Sequence, residues 1–444
     1  MNANVKKQGL DISLNLSGEQ VNVEKKNKAG KAVAAASIGN ALEWYDFSVF
    51  AFFASYIGHS FFVEGDEVSA LLKTFLLFAV GFIARPVGAL FLGSYGDRVG
   101  RKAALTLTIG IMAVGTFIIA VAPPVWVIGV GAPILLLIGR LLQGFSAGGE
   151  IGGATAFLVE SAPPEKKASY AAWLQASMGI SNILAAFVGM MITTFFTDDQ
   201  ITGWAWRLPF LVGLLIIPVG YYIRYTLDET AEFEAEKKTM DLTKKQPLFD
   251  VIKLYPQHMI VGIMFSILWT VCVYVLVIYM PTYYAAANIG LGFSRNDAFT
   301  ASLIGNIFMI IGCLFSGRMA DRFGAPIVLK LSCLVLAVVS FPLLTWLHGS
   351  PEFGNLVVVH IILCFSVALF SGVAPSALAG LFPTQVRSSG MAVSYNIAAI
   401  FFAGFTPALM TWATTIDIMA PSYYLAIASF IGYLATVWMY KLVK

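Results

Sequence analysis

Charged residues are scarce in this chain, and their scarcity excludes an ordinary soluble globule. Only 12% of the 444 residues are Asp, Glu, Lys or Arg, while 58% are hydrophobic and the mean hydropathy is +0.79. Soluble globular domains carry about 25% charged residues. Much of the surface must therefore face lipid, and apolar runs of about 20 residues indicate helices that cross a bilayer.

The sequence also lacks the patterns typical of several other protein classes. It contains no Walker loop, no HExxH pair and no long soluble domain, so we expect neither an enzyme nor an ATP-driven pump. The four cysteines lie in apolar runs without a CxxC pattern, so we expect no disulfide, metal or cofactor. No signal peptide is present, and the polar, lysine-rich residues 1–30 are typical of a disordered tail.

Twelve apolar segments are long enough to span a membrane. They cover residues 32–58, 69–92, 103–122, 126–159, 168–196, 204–226, 257–286, 298–316, 326–347, 354–380, 388–414 and 421–441. We therefore expect an all-α membrane protein with twelve transmembrane helices in two six-helix pseudo-repeats. Its predicted parts are a tail over 1–30, a bundle over 31–226, a cytoplasmic linker over 227–255 and a second bundle over 256–444.

The basic residues are distributed in a way that predicts topology. If the amino terminus is cytoplasmic, 23 of the 28 Lys and Arg residues fall in the tail, the cytoplasmic connections and the carboxy terminus. The remaining five are Lys73, Arg85, Arg140, Arg207 and Arg295. This positive-inside pattern predicts that both termini are cytoplasmic, in a bacterial-type inner membrane, and it leaves no patch for nucleic acid.

An internal repeat relates the two halves. The pattern G-x3-D-R-x-G occurs in "GSYGDRVG" from Gly93 and again in "GRMADRFG" from Gly317, an offset of 224 residues. Parallel six-helix repeats around a site near the bilayer midplane are a common architecture of secondary transporters.

These motifs resemble the major facilitator superfamily, and in particular its metabolite:proton symporter branch. The resemblance is carried by "GNALEWYDF", "RPVGALFLGSYGDRVGRK", "RLLQGFSAGGE", "WRLPFL" and "LDETAEFE" and covers residues 35–440. It implies alternating access, proton-coupled uptake and a central cavity lined by helices 1, 4, 7 and 10. Known members of that branch carry citrate, α-ketoglutarate, shikimate or proline and betaine.

Five charged residues lie deep in the first half: Glu43, Asp46, Arg85, Arg140 and Glu150. Each would cost about 2.5–3.5 kcal/mol at the bilayer centre, so they must pair or face water. Helical spacing places Asn40, Glu43 and Asp46 on one stripe and Arg140, Gln143 and Glu150 on another, and both stripes are expected to line a cavity.

The charges admit two interpretations. In the first, the arginines hold a carboxylate substrate, and Asp46, Glu43 or Glu150 takes up the coupling proton because burial favours a neutral carboxyl group. In the second, they form permanent ion pairs, such as Arg140 with Glu150 or Asp46. Likewise, the ridge of Gly144, Gly148 and Gly152 either lets helices slide or only packs them closely.

Candidate residues for the other roles are mostly neutral. The candidate substrate-binding residues are Arg85, Arg140, Gln143, Tyr45, Asn182, Tyr274, His360, Tyr395 and Asn396, although a lone membrane histidine is also typical of structural hydrogen bonding. The candidate gating residues are Gly93, Asp97, Arg98, Asp321, Arg322 and Arg387, because an Asp at a helix end can accept hydrogen bonds from a neighbouring helix N-terminus. The resemblance implies that such contacts close the inner gate. After Gly324 the second copy has Ala325 and Pro326 where the first copy has Arg101 and Lys102, so its contact is expected to be weaker.

Taken together, the sequence favours a proton-coupled symporter that imports a small organic acid, most simply a di- or tricarboxylate such as citrate. The expected partners are this anion, protons and lipid, with a monomer as the functional unit. A proline/betaine uptake carrier is the alternative, and the absence of a long heptad tail disfavours it. A drug/proton antiporter is disfavoured because the fifth segment lacks a Gly-Pro pair.

Overall fold

The computed structural model describes residues 37, 40–41, 43–62, 66–99, 101–148, 154–155, 158–159, 162–226, 253–383 and 386–443. Within these ranges the side chains at 93–94, 96–99, 101–105, 216 and 219–226 are not described. The predicted tail and most of the predicted linker therefore lie outside the described residues, as do Glu150 and Gly152.

The first half of the described chain consists of six long helices. They are α1 (43–52 and Ala54–Phe61, with a turn at Phe53), α2 (Glu67–Val99), α3 (Arg101–Val121), α4 (Gly131–Ala147), α5 (Lys167–Phe195) and α6 (Leu208–Thr226). A short helix, Val125–Ile128, precedes α4 and ends at Gly129, whose φ of 58° suits glycine. The predicted fourth segment, 126–159, is therefore broken near its start.

The second half repeats this arrangement. Its helices are α7 (Pro256–Ala285), α8 (Arg295–Phe323), α9 (Ala325–Gly349), α10 (Phe353–Leu381), α11 (Arg387–Thr414) and α12 (Ala420–Leu442). Two of them contain a π-helical segment, Tyr274–Tyr279 in α7 and Ile400–Gly404 in α11. Such segments are frequent at functional sites because they re-aim the side chains of a helix.

Local sequence signals explain where several helices begin and end. Ser294 caps α8, because its Oγ accepts a hydrogen bond from the backbone N–H of Asp297 at 3.0 Å. The same helix ends at Gly324, which adopts a φ of 91°. Proline is the first residue of α7, where its missing N–H costs no intrahelical bond. By contrast, α2 continues through Pro86 to Val99.

The helices expose apolar side chains on the outside of the bundle. Eight of the helices in the described residues are long and apolar enough to cross a membrane, and three shorter apolar helices accompany them. Side chains such as Leu215 and Val338 are 75% and 68% exposed. In water this surface would drive aggregation, whereas in a bilayer it meets lipid tails.

The two halves meet along two seams, where α2 packs on α11 and α5 packs on α8. Within the first half, α2 and α4 approach with backbones in contact. A Cβ added to Gly144 would lie 1.8 Å from the carbonyl oxygen of Gly81, and one added to Gly148 would lie 1.9 Å from that of Arg85. These glycines therefore set the α2–α4 distance, which fixes where Arg85 and Arg140 stand.

Candidate functional site

An ion pair between α1 and α2 forms the centre of the candidate site. Arg85 Nη2 contacts Glu43 Oε1 at 3.1 Å, and both residues are 1% exposed. The Nε and Nη1 atoms of Arg85 are buried without a hydrogen-bond partner among the described residues. A guanidinium group has five N–H donors, so this arginine is only partly satisfied.

A second charged group lies deeper in the first half, linked by a glutamine. Gln143 Oε1 accepts from Arg140 Nη1 at 2.8 Å, and Gln143 Nε2 donates to Thr116 Oγ1 at 3.0 Å and Asp46 Oδ2 at 3.3 Å. Thr116 also donates a short hydrogen bond to Asp46 Oδ2. Asp46 thus contacts α3 and α4, and its Oδ1 lies against Gly213 of α6. This carboxylate faces the interior of the first bundle.

Aromatic rings surround both arginines. The ring of Phe47 contacts both guanidinium groups, with the Cζ of Arg85 at 4.6 Å and that of Arg140 at 4.7 Å from its centroid. Phe82 lies 4.2 Å from Arg85, and Phe50 lies 4.4 Å from Arg140. Cation–π contacts at these distances stabilise a desolvated cation, so the rings hold positive charge where water is excluded.

The second half contributes tyrosines to the Arg85–Glu43 pair. Tyr274 opens the π-helical segment of α7, and its ring packs on Phe82 and Trp44 with centroids 5.3 Å and 5.6 Å apart. Its hydroxyl is buried without a hydrogen-bond partner among the described residues and interacts electrostatically with Arg85 and Glu43. Tyr395 of α11 interacts electrostatically with the same two charges. Four helices from both halves thus converge here.

Other residues predicted to bind substrate are engaged elsewhere. Tyr45 donates to the carbonyl of Pro209 in α6 at 2.9 Å, and Asn182 Oδ1 accepts a short hydrogen bond from Ser48. His360 bonds to Tyr284 at 3.0 Å and to Cys364 at 3.4 Å, contacts that lie within the second half. These contacts fit the structural interpretation of the histidine, while a binding role for it stays a prediction.

Asn396 lies at the junction of the halves, because its Nδ2 donates to the carbonyl oxygen of Gly148, the residue directly after α4, at 3.4 Å. Glu150 lies outside the described residues. Gly93, Asp97 and Arg98 lie in α2, but their side chains are not described.

At one end of the bundle, α8 holds α5. Both carboxylate oxygens of Asp321 accept hydrogen bonds from backbone N–H groups, Oδ1 from Ala168 at 2.9 Å and Oδ2 from Ser169 at 3.0 Å. The hydroxyl of Ser169 adds a third, short hydrogen bond. A carboxylate is favourable there because the first turn of a helix carries partial positive charge. We call this set the Asp321 contact. Its neighbour Arg322 lies over Phe323, and Arg387 Nε donates to Ala379 at 3.0 Å.

At the opposite end, α8 holds α1. Arg295 Nη2 donates to Ser55 Oγ at 3.0 Å, and the Arg295 guanidinium lies 4.5 Å from the centroid of the Tyr56 ring. Tyr56 in turn donates to Asp198 Oδ1 at 3.1 Å. We call this set the Arg295 contact. A cavity of about 550 Å³ opens beside it, and a smaller one of about 230 Å³ adjoins Asp321. Both contacts are formed in the same structure in which the Arg85–Glu43 pair is buried.

Some of these residues were not predicted from the sequence. Thr116 and Ser169 belong to no motif that points to chemistry, and Phe47 ends the motif GNALEWYDF but was given no role of its own. The one signal for Phe47 is its position on α1, four residues after Glu43 and next to Asp46, where an aromatic ring can cover buried charges.

Comparisons with known proteins agree with this architecture. A model of the Major Facilitator Superfamily matches residues 36–405. The chain is 36% identical to the citrate-proton symporter of Klebsiella pneumoniae, over 92% of this chain and 91% of that protein. It is 34% identical to the proline/betaine transporter of Escherichia coli (strain K12), over 93% of this chain and 83% of that protein.

Among solved structures, the chain resembles the partially occluded, inward-open xylose transporter of E. coli. The TM-score is 0.73 at 17% sequence identity, over 94% of this chain and 98% of that one. Identity this low supports the fold alone, whereas the family match and the relatives above cover most of the chain. On this evidence the chain is a multi-pass membrane protein of twelve transmembrane helices in two six-helix repeats, and it belongs to the Major Facilitator Superfamily.

Proposed function

We propose that this protein is a proton-coupled symporter that imports a small organic acid such as citrate by alternating access. The observation that carries the proposal is Arg85, a buried and partly satisfied guanidinium between the halves, next to the unpartnered hydroxyl of Tyr274. Groups of this kind bind carboxylates well. The citrate-proton symporter relatives support the same substrate class.

The distribution of the basic residues gives the orientation of the protein in the membrane. Both termini and the Asp321 contact are assigned to the cytoplasm, and the Arg295 contact to the outside, because Lys and Arg concentrate in cytoplasmic connections. In this assignment the Asp321 contact closes the inner gate and the Arg295 contact closes the outer gate. The chain works as a monomer, since each bundle pair encloses one complete site.

The chemistry divides between the two charged groups. Arg85 and Tyr274 bind the substrate carboxylate at the seam between the halves. Asp46, held by Thr116 and Gln143, is a proton carrier whose charge depends on Arg140. Loss of charge at Asp46 loosens these hydrogen bonds, and Gln143 carries that change to Arg140 and the Phe47 ring. Proton binding and the substrate site are thereby connected through packed side chains.

A second candidate is uptake of proline or betaine. Trp44 and Tyr274 present aromatic rings beside Glu43, and Trp269 packs on Tyr395 with centroids 4.9 Å apart. Aromatic rings with a nearby carboxylate suit a quaternary ammonium group, while Arg85 suits the carboxylate of the same zwitterion. The proline/betaine transporter of E. coli is correspondingly similar in sequence.

The experiment that separates these candidates is uptake into proteoliposomes with an imposed inward pH gradient. Labelled citrate is expected to accumulate, and labelled betaine is not. Arg85→Gln should abolish accumulation, while Arg207→Gln is the matched control, because Arg207 bonds within the first half to Ala122 at 2.9 Å. Accumulation of betaine alone would establish the second candidate, and no accumulation of either would refute both.

A further inference from the structure

We propose that Asn182 of α5 and Asn306 of α8 form a hydrogen-bonded pair at the middle of the seam between the two halves. This asparagine pair fixes the register of α5 on α8, while the two ends of the seam open and close around it. The inference goes beyond the proposed function, because it does not depend on which solute is carried. It assigns Asn182 to the contact between the halves and not to the substrate.

The contacts along the seam show that α5 and α8 run antiparallel in one regular register. The backbone N–H of Ala168 donates to Asp321, and a Cβ added to the seam glycines would first meet a side chain of the facing helix. In these contacts the two residue numbers add to 488 or 489. The contacting pairs are Ala168 with Asp321, Ala172 with Gly317, Gly179 with Ile310 and Gly189 with Phe299. The numbers of Asn182 and Asn306 add to 488, so these residues lie opposite each other.

The helical repeat places both asparagines on the contacting faces. Seven residues turn an α-helix by about 700°, which returns to within about 20° of the same direction. Asn182 lies seven residues before Gly189, and Asn306 lies seven residues after Phe299. A Cβ added to Gly189 would lie 3.0 Å from the Phe299 ring. One step of seven residues along each helix therefore leads from this contact to the two asparagines.

The two amide groups complement each other chemically. Both residues are 0% exposed. Asn182 Oδ1 accepts a short hydrogen bond from Ser48 of α1, while its Nδ2 has no partner among the described residues. Asn306 Nδ2 donates to the carbonyl oxygen of Ser302 at 2.8 Å, while its Oδ1 likewise has no partner in the described part of the chain. A hydrogen bond between this donor and this acceptor, direct or through one water, satisfies both.

The composition of the seam explains why such a pair is needed. The face of α5 that meets α8 is rich in small residues, among them Ala172, Gly179 and Gly189. Small residues let helix backbones approach closely, but they distinguish poorly between one register and the next. Any other register would leave both asparagine amides buried and unsatisfied, which costs free energy. A single buried asparagine fixes register in coiled coils for the same reason.

The asparagine pair lies between the contacts that close the two ends of the seam. On α5, Asn182 is about 20 Å from Ser169 of the Asp321 contact, at 1.5 Å per residue. It is about 18 Å from Thr194 at the other end, where Asn296 Nδ2 donates to Thr194 Oγ1 at 2.7 Å. When two halves rock on each other, the middle of their seam moves least. The pair can therefore persist while either end separates.

The first test is a double-mutant cycle on the melting temperature of the purified full-length protein. Asn182→Ala and Asn306→Ala should each lower it, and the double variant should melt no lower than the less stable single variant, because either change already removes the shared bond. Gln175 is the matched control, since its Nε2 is also buried without a partner in the described residues, seven residues before Asn182. The effects of Gln175→Ala and Asn306→Ala should add. Additive effects of Asn182→Ala and Asn306→Ala would overturn the inference.

The second test distinguishes a pivot from a contact that only adds stability. With a protease site inserted within residues 227–255, oxidation of the Asn182→Cys, Asn306→Cys variant should join the two halves on a denaturing gel. Asn182→Cys alone should not, although native Cys313 lies seven residues further along α8. Oxidation of the central pair should leave uptake of labelled citrate no lower than in the reduced protein. Oxidation of Thr194→Cys with Asn296→Cys at the end of the seam should abolish uptake, and reduction should restore it.

The outcomes separate this inference from the proposed function. Failure of the central cysteines to join the halves, or loss of uptake when they are joined, would overturn the pivot. No citrate uptake by the wild type would overturn the proposed function instead. The melting temperatures would then still decide whether Asn182 and Asn306 are coupled.

Discussion

Loss of the Arg295 side chain should open the outer gate. Arg295 connects α8 of the second half to α1 of the first half through Ser55 and the ring of Tyr56. The substitution Arg295→Ala removes both interactions and leaves the hydrogen bond between Tyr56 and Asp198 in place. The substitution destabilises the closed conformation but not the outward-open one, because the two halves are already apart at this end in the outward-open state.

The magnitude follows from the two interactions. A hydrogen bond from a charged donor is worth about 1.5 kcal/mol at the low end, and a partly exposed cation–π contact adds about 0.5 kcal/mol. Their loss destabilises the closed outer gate by about 2 kcal/mol. Since every 1.4 kcal/mol is a factor of ten, the outward-open population should rise about thirtyfold relative to the closed one.

The assay is a distance measurement between two spin labels at the outer end, one in each half. His59 on α1 and Asn288 before α8 are exposed, and each is replaced by cysteine for labelling. The four native cysteines are buried, which limits their reaction. Arg295→Ala should raise the ratio of long to short label distances about thirtyfold.

The matched control is another arginine near the same end. Arg207 lies 4.3 Å from the ring of Trp206 and bonds to Ala122, and both partners belong to the first half. Arg207→Ala should therefore leave the label distances unchanged. If Arg295→Ala also leaves them unchanged in a folded protein, the Arg295 contact does not hold the outer gate and the reasoning is refuted.

Three further changes test other parts of the structure. Gly144→Ala should lower the melting temperature and reduce uptake sharply, because its methyl group would meet Gly81 at 1.8 Å, whereas Gly110→Ala, with nothing within 4 Å, should be nearly neutral; equal melting temperatures for both would contradict the close α2–α4 contact. Asp46→Asn should stop pH-driven accumulation while citrate exchange across the membrane persists, and undiminished accumulation would assign the proton elsewhere. Asp321→Asn should weaken the three hydrogen bonds of the Asp321 contact. A cysteine introduced near this contact should then react with a thiol reagent added at the cytoplasmic side about tenfold faster or more, and an unchanged rate would disprove the prediction.

The sequence was sufficient to predict the helices and the repeat. Long apolar runs cross a bilayer as helices, because every backbone polar group must be hydrogen-bonded within the segment. The two copies of G-x3-D-R-x-G show which segments of the two halves correspond. The boundaries were less predictable where glycine intervenes. Gly129, with its positive φ, separates a short helix from α4 inside one apolar run, and hydropathy does not detect such a break.

The partners of the buried charges could not be predicted, and geometry explains why. Asn40, Glu43 and Asp46 were assigned to one stripe, yet successive members differ by about 60° around the helix. The set therefore spans about 120°, enough to face several neighbours. Asn40 bonds to α5, Glu43 to Arg85 of α2, and Asp46 to α3 and α4. Likewise, Arg140 is connected to Asp46, one of its suggested partners, through Gln143, while the other, Glu150, lies outside the described residues.

The gating prediction shows a similar limit. The motif identifies Asp321 as a candidate, but its acceptor role depends on how α8 docks on α5, which only the packed structure gives. The expected weakness of this second copy stays a prediction, because the Asp97 side chain lies outside the described residues. The π-helical turn at Tyr274 likewise has no signature in hydropathy.

The most direct test of coupled transport measures citrate entry and proton entry together in the same proteoliposomes. An inward citrate gradient is imposed, and the pH is initially equal on both sides. The account predicts that inward citrate flux drives alkalinisation of the outer medium, and that Arg85→Gln abolishes both signals together. Citrate entry without proton movement, or proton movement that persists in Arg85→Gln, would contradict it.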